Sequence, residues 1–142
     1  MLARQLFSSD PMPVAADAAL LLLRLIVGGF LVWGVWDNIV SAERMAEFET
    51  FLTQFKFPAP ALLAPLSVYG QFFCGAAFLL GALTRPAGLV CAINFAVAIV
   101  MVDRFGGLRA SFPSAALIAI GLYLAANGPG RFSLAGLMGG RR

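Results

Sequence analysis

The chain has 142 residues, of which 61% are hydrophobic and only 12% charged, with a net charge of +3. A soluble domain carries roughly 25% charged residues, and a chain this short has too small an interior to hide so much apolar surface; the composition therefore predicts one integral membrane domain over 1–142. Histidine is absent, which excludes His-ligated haem, His-bearing zinc or copper and a His general base; Cys74 and Cys91 alone cannot hold an iron–sulfur cluster, and scattered basic residues without interleaved aromatics argue against nucleic acid.

Residues 1–16 read as a short peripheral arm, with Leu2, Leu6 and Phe7 suited to a membrane surface and Ser8-Ser9-Asp10-Pro11 and Pro13 breaking any helix. The arm lacks the continuous apolar run of a cleavable signal peptide. Residues 17–40 form a first membrane span, since about 20 apolar residues suffice to cross a bilayer. It holds two charges, Arg24 and Asp37, about 20 Å apart along the axis and roughly 140° apart in direction, so they do not share a face. Arg24 reads as a structural anchor that snorkels to headgroups or bonds the carbonyls of a neighbouring helix.

Residues 42–55 repeat Met45, Phe48, Phe51, Leu52 and Phe55 at spacings of three and four, with Glu43, Arg44, Glu47 and Glu49 mostly on the other side. This is an amphipathic interfacial helix, N-capped by Ser41. A second span covers 61–83, with Pro65 tolerated in a first turn. A third covers 86–103, opened by Pro86 at its first position and preceded by Arg85, a second structural residue. A fourth covers 112–127, opened by Ser111 and Pro113 and stopped by Asn127-Gly128-Pro129-Gly130. The fold class expected is all-α: an integral membrane four-helix bundle with a short interfacial helix between the first two spans.

Four spans leave both termini on one side. That side carries Arg4, Arg85, Arg131, Arg141 and Arg142, against Arg44, Lys56, Arg104 and Arg109 on the other. The positive-inside rule then places the termini in the cytoplasm of a bacterial inner membrane.

Candidate sites come in three groups. Asp37 and Asn38 close the first span, Asp103 and Arg104 close the third, and Arg109 follows; they form either a rim cluster that handles a ligand or protons, or interfacial charges that cap helices. Gln71 and Asn94 lie near the membrane middle, where each amide is costly unless bonded. They either bond each other, worth about 1 kcal/mol, or line a pocket with Trp33, Tyr69 and Phe72 for a quinone head group. Cys74 and Cys91 differ in depth by about 6 Å, marginal for a disulfide, and read as buried thiols. Metal ligation is not expected.

The second-to-third-span junction, Gln71-Phe72-Phe73-Cys74-Gly75 followed by Leu80-Gly81-Ala82-Leu83-Thr84-Arg85, together with Arg24-Leu25 and Gly28 before it and Gly128-Pro129-Gly130-Arg131-Phe132-Ser133 after it, resembles the DoxX family of small membrane proteins over about residues 18–135. The resemblance implies a four-helix inner-membrane protein. Some relatives are subunits of thiosulfate:quinone oxidoreductases and others associate with oxidative-stress enzymes. Where many members carry His-Gly and then Lys in the first span, this chain has Trp33-Gly34 and Asp37; where many carry Glu at the head of the second-span motif, it has Gln71. The function expected is an accessory or quinone-interacting subunit of a membrane redox system, with no self-sufficient catalytic set and no intrinsic cofactor other than quinone. Its partners would be the bilayer, redox-enzyme subunits or a second copy. The alternatives are a small transporter or lipid- or solute-binding protein using Asp37, Gln71 and Asn94, and a structural partner that docks through residues 41–60.

Overall fold

The computed structural model describes residues 12–139. These form α1 (Pro13–Val40), α2 (Ala42–Gln54), α3 (Pro60–Leu80), α4 (Thr84–Met101), a 3-10 turn (Asp103–Gly106), α5 (Gly107–Asn127) and a one-turn α6 (Leu134–Leu137), with no strand among the described residues. Helices α1, α3 and α4, and α5 with the turn before it, are each long and apolar enough to cross a membrane. The chain is therefore an all-α, multi-pass membrane protein. Of the arm expected over 1–16, residues 1–11 lie outside the described residues, and α1 already begins at Pro13.

Helix α1 packs on α3, α3 on α4 and α4 on α5, while α2 lies against α1 and α3. All four spans feed one core: Val27 and Leu31 of α1, Cys74 and Phe78 of α3, Ala87 and Cys91 of α4, and Leu117 and Leu124 of α5. In lipid, helices gain little by removing apolar side chains from an equally apolar solvent, so close backbone approach carries the association. Two reciprocal glycine crossings supply it. A Cβ on Gly28 would stand 2.8 Å from the Gly75 carbonyl oxygen, and one on Gly75 2.8 Å from that of Gly28. At the α4–α5 crossing a Cβ on Gly121 would stand 2.7 Å from the Gly88 oxygen, and one on Gly88 would run into the Gly121 oxygen.

Cys74 and Cys91 are free and buried. The Cys74 thiol donates to the Ala87 carbonyl at 3.2 Å and that of Cys91 to Leu117 at 3.8 Å, so each sulfur faces the next helix along.

The prolines mark element boundaries less sharply than expected. Pro13 and Pro60 stand in the first turns of α1 and α3, where no intrahelical N–H is needed. Pro65 and Pro113 lie inside α3 and α5. Helix α5 thus starts at Gly107 rather than at 112, and Ser111 donates its hydroxyl back to the Gly107 carbonyl instead of capping. Pro86 is the third residue of α4, because Thr84 and Arg85 are already helical. Helix α3 ends at Leu80, short of 83, because Gly81 takes the left-handed φ of +68° and caps it: the Gly81 and Ala82 N–H groups both donate to the Ala77 carbonyl, at 2.9 and 3.2 Å. Ser41 caps α2 as expected, its hydroxyl accepting from the Arg44 N–H.

Candidate functional site

The polar side chains fall into three layers along the bundle. The first lies where α3 and α5 finish. Arg24 is 1% exposed. Its Nε donates to the Phe78 carbonyl at 2.9 Å, its Nη1 to Pro129 and Phe132, both at 2.8 Å, and its Nη2 to Leu79 at 3.5 Å. Phe78 and Leu79 lie in the last turn of α3, whose carbonyls have no intrahelical donor. A cation there also meets the negative end of the helix dipole. Gly81 permits the approach: a Cβ on it would stand 2.5 Å from Arg24 Nη2 and would overlap Ser133 Cβ. Ser133 caps α6 and donates to the Gly130 carbonyl at 2.6 Å, while Asp17 accepts from the Arg131 N–H at 3.3 Å. Arg85 does for α5 what Arg24 does for α3, donating to the Ala125 and Ala126 carbonyls at 3.1 and 2.6 Å.

The second layer lies at the middle of α3 and α4. Gln71 Nε2 donates to Ser67 Oγ at 3.3 Å, and that hydroxyl donates to Asn94 Oδ1 at 2.8 Å. Ser67 thus stands between the two amides expected to bond directly. It lies one turn from Gln71 on the same helix, and that i, i+4 spacing is the signal that could have found it. Both amides are half-buried. Among the described residues the Asn94 amide nitrogen and the Gln71 side-chain carbonyl have no further hydrogen-bond partner. The chain of bonds therefore has a donor end and an acceptor end. These two groups are the ones that could hold a polar head group.

Two of the three aromatic residues expected around these amides, Trp33 and Tyr69, face outward instead. Trp33 is 81% and Tyr69 54% exposed. Tyr69 is two residues from Gln71, about 200° around the helix. Trp33 instead lines an apolar hollow with Gly29, Val32, Trp36 and Leu79.

The third layer, at the end where α1 and α4 finish, does not close into one cluster. Asp103 accepts a short hydrogen bond from the Ser114 hydroxyl. Asn38 donates to the Arg44 carbonyl at 3.0 Å. The Arg104 guanidinium lies 4.8 Å from the centre of the Phe105 ring. Asp37 and Arg109 are exposed. An aromatic run joins α2 to this end, with Phe51 4.9 Å from Phe55 and Phe55 6.4 Å from Phe105, centre to centre.

A family model for DoxX matches residues 19–104. The chain belongs to the DoxX family. The match takes in all but the first turns of α1 and the whole of α2 to α4, and with them Arg24, Gln71, Asn94 and Arg85, and ends at Arg104; the Gly128–Ser133 segment that folds over Arg24 lies beyond it. Comparison with curated proteins and with solved structures found no match.

Proposed function

We propose that this DoxX protein is a non-catalytic, quinone-interacting subunit of a membrane redox system, set in a bacterial inner membrane with both termini in the cytoplasm. The observation that carries the reading is the chain from Gln71 through Ser67 to Asn94. An amide left unpaired in hydrocarbon costs several kcal/mol, so the two free ends favour a polar group delivered to that depth by an amphiphile. A quinone carbonyl accepts from the Asn94 amide, and a quinol hydroxyl donates to the Gln71 carbonyl. The relay contains no acid or base. Its role is therefore to seat the head group, while electrons and protons come from a partner subunit. The excess of arginine beside both termini supports the orientation.

Mass spectrometry of the protein released from native membranes in mild detergent tests this. Wild type should carry quinone and co-purify with a redox subunit. Asn94→Leu should lose bound quinone roughly tenfold, as expected from one or two intramembrane hydrogen bonds, and keep the subunit. Protein that emerges with neither, together with no redox phenotype on deletion, overturns the proposal.

A further inference from the structure

The chain of bonds from Gln71 through Ser67 to Asn94 is held differently from the other polar side chains. Among the described residues its two bonds are the only ones that join uncharged side chains to each other. Elsewhere the partner fixes the direction. Asn38 and Asn127 turn their amide nitrogens to the Arg44 and Tyr123 carbonyls, which can only accept. Ser41 accepts from the Arg44 N–H, which can only donate, and Ser111 donates to the Gly107 carbonyl. Among the described residues no backbone group bonds the side chain of Gln71, Ser67 or Asn94.

The relay therefore has two directions. A hydroxyl both donates and accepts, and a primary amide given half a turn about its last torsion exchanges its oxygen and its nitrogen in place. In the direction observed, Gln71 donates to Ser67 and Ser67 to Asn94, which leaves the Asn94 NH2 and the Gln71 carbonyl free. With both amides turned and the hydroxyl rotated, Asn94 donates to Ser67 and Ser67 to Gln71. That leaves the Asn94 carbonyl and the Gln71 NH2 free. Each direction makes two bonds between the same kinds of group, so the bonds themselves do not choose. The choice falls to whatever meets the free ends, through its difference in affinity for the two arrangements.

A quinone head group, the ligand of the reading on which this inference rests, changes its demand on reduction. Two electrons and two protons from the partner subunit turn a carbonyl, which only accepts, into a hydroxyl whose hydrogen needs an acceptor. In the observed direction alone that hydrogen finds one only at Gln71, and at Asn94 it lies unpaired in hydrocarbon. Reversal lets Asn94 meet the carbonyl with its NH2 and the hydroxyl with its own carbonyl, and the head group keeps its place.

We propose that Ser67 is the pivot of a reversible relay: quinone at Asn94 holds it in the observed direction, quinol holds it in the opposite one, and Gln71 changes from acceptor to donor as the ring is reduced. The site then seats both redox forms alike, and the state of a ring on α4 is read out on α3. Two measurements on the full chain in nanodiscs test this, with decylubiquinone and decylubiquinol as probes. Wild type should bind the two forms within about threefold of each other. A preference for the quinone of about tenfold or more, the size of one lost intramembrane hydrogen bond, means a relay fixed in direction and overturns the inference while the quinone reading stands. Binding of neither form sinks that reading and the inference with it. Infrared difference spectra on reducing the bound quinone with dithionite supply the second measurement. The Gln71 side-chain carbonyl band, identified by its loss in Gln71→Leu, should move to lower frequency as it gains the Ser67 hydroxyl. Ser67→Ala, loaded to the same occupancy, should abolish that shift, and Ser67→Thr should keep it. A band that still shifts in Ser67→Ala means that Gln71 touches the ring itself, and one that stays still in wild type means that the relay does not turn; either result overturns the proposal.

Discussion

Where α3 and α5 finish, one buried guanidinium gathers four carbonyls from two distant segments, whereas at the opposite end the side-chain bonds are short in reach, the longest being the eleven residues from Ser114 to Asp103. Arg24 reaches 54 residues ahead to Phe78 and 108 ahead to Phe132. Asn38 reaches only to Arg44, Ser41 caps its own helix, and Arg44 pairs with Glu47 at 3.0 Å. The difference teaches how this bundle handles charge. A buried cation is normally matched by a carboxylate. Here the C-terminus of α3, whose free carbonyls need donors and whose dipole favours a positive charge, and the carbonyls of the loop after α5 take that place. At the opposite end water and headgroups are near, and exposed charges contribute little to stability.

Breaking that comparison starts with the buried cation. Arg24→Leu strands the carbonyls of Phe78, Leu79, Pro129 and Phe132, each at about 1–3 kcal/mol when buried and unpaired. The variant should lose on the order of 4 kcal/mol in detergent-denaturation experiments, with Arg24→Lys in between. At the other end, Ser41→Ala removes the α2 cap and should cost about 1 kcal/mol. Hydrogen exchange should then quicken in the first turn of α2 and nowhere in α3. The smallest effect belongs to Asp37→Asn, at an exposed position, which should stay within about 0.5 kcal/mol of wild type in the same denaturation experiment. A large loss there would mean that the two ends are held alike after all.

The four spans, the α2 helix and its Ser41 cap were legible in the sequence because each is local, set by hydropathy over a window or by one side chain over one turn. The seat of Arg24 was legible only as one of two options, a bond to the carbonyls of a neighbouring helix, because nothing local ties it to Pro129 or Phe132. Pro113 misled in the opposite way: it removes one N–H, yet α5 runs on around it from Gly107. Trp33 and Tyr69 looked like walls of an internal pocket because hydropathy cannot tell a lipid-facing aromatic from a protein-facing one. Exposure separates them from Gln71 and Asn94, while the two amides remain together, with Ser67 between them. Departures such as Trp33 and Gln71 from what the DoxX likeness implied therefore fall in two different settings, one facing lipid and one inside the bundle.

The Arg24 clamp also orders events in time. Helix α1 enters the membrane first, with a guanidinium whose burial costs about 2.5–3.5 kcal/mol while it has no partner. Two of its acceptors arrive with the end of α3, and the other two only once Pro129 and Phe132 have left the ribosome, more than a hundred residues after Arg24 itself. At roughly 5–20 residues per second the first helix waits several seconds for its last ligands. The Gly128–Ser133 segment is therefore the latch of assembly: until it folds over Arg24, the bundle is inserted but not locked.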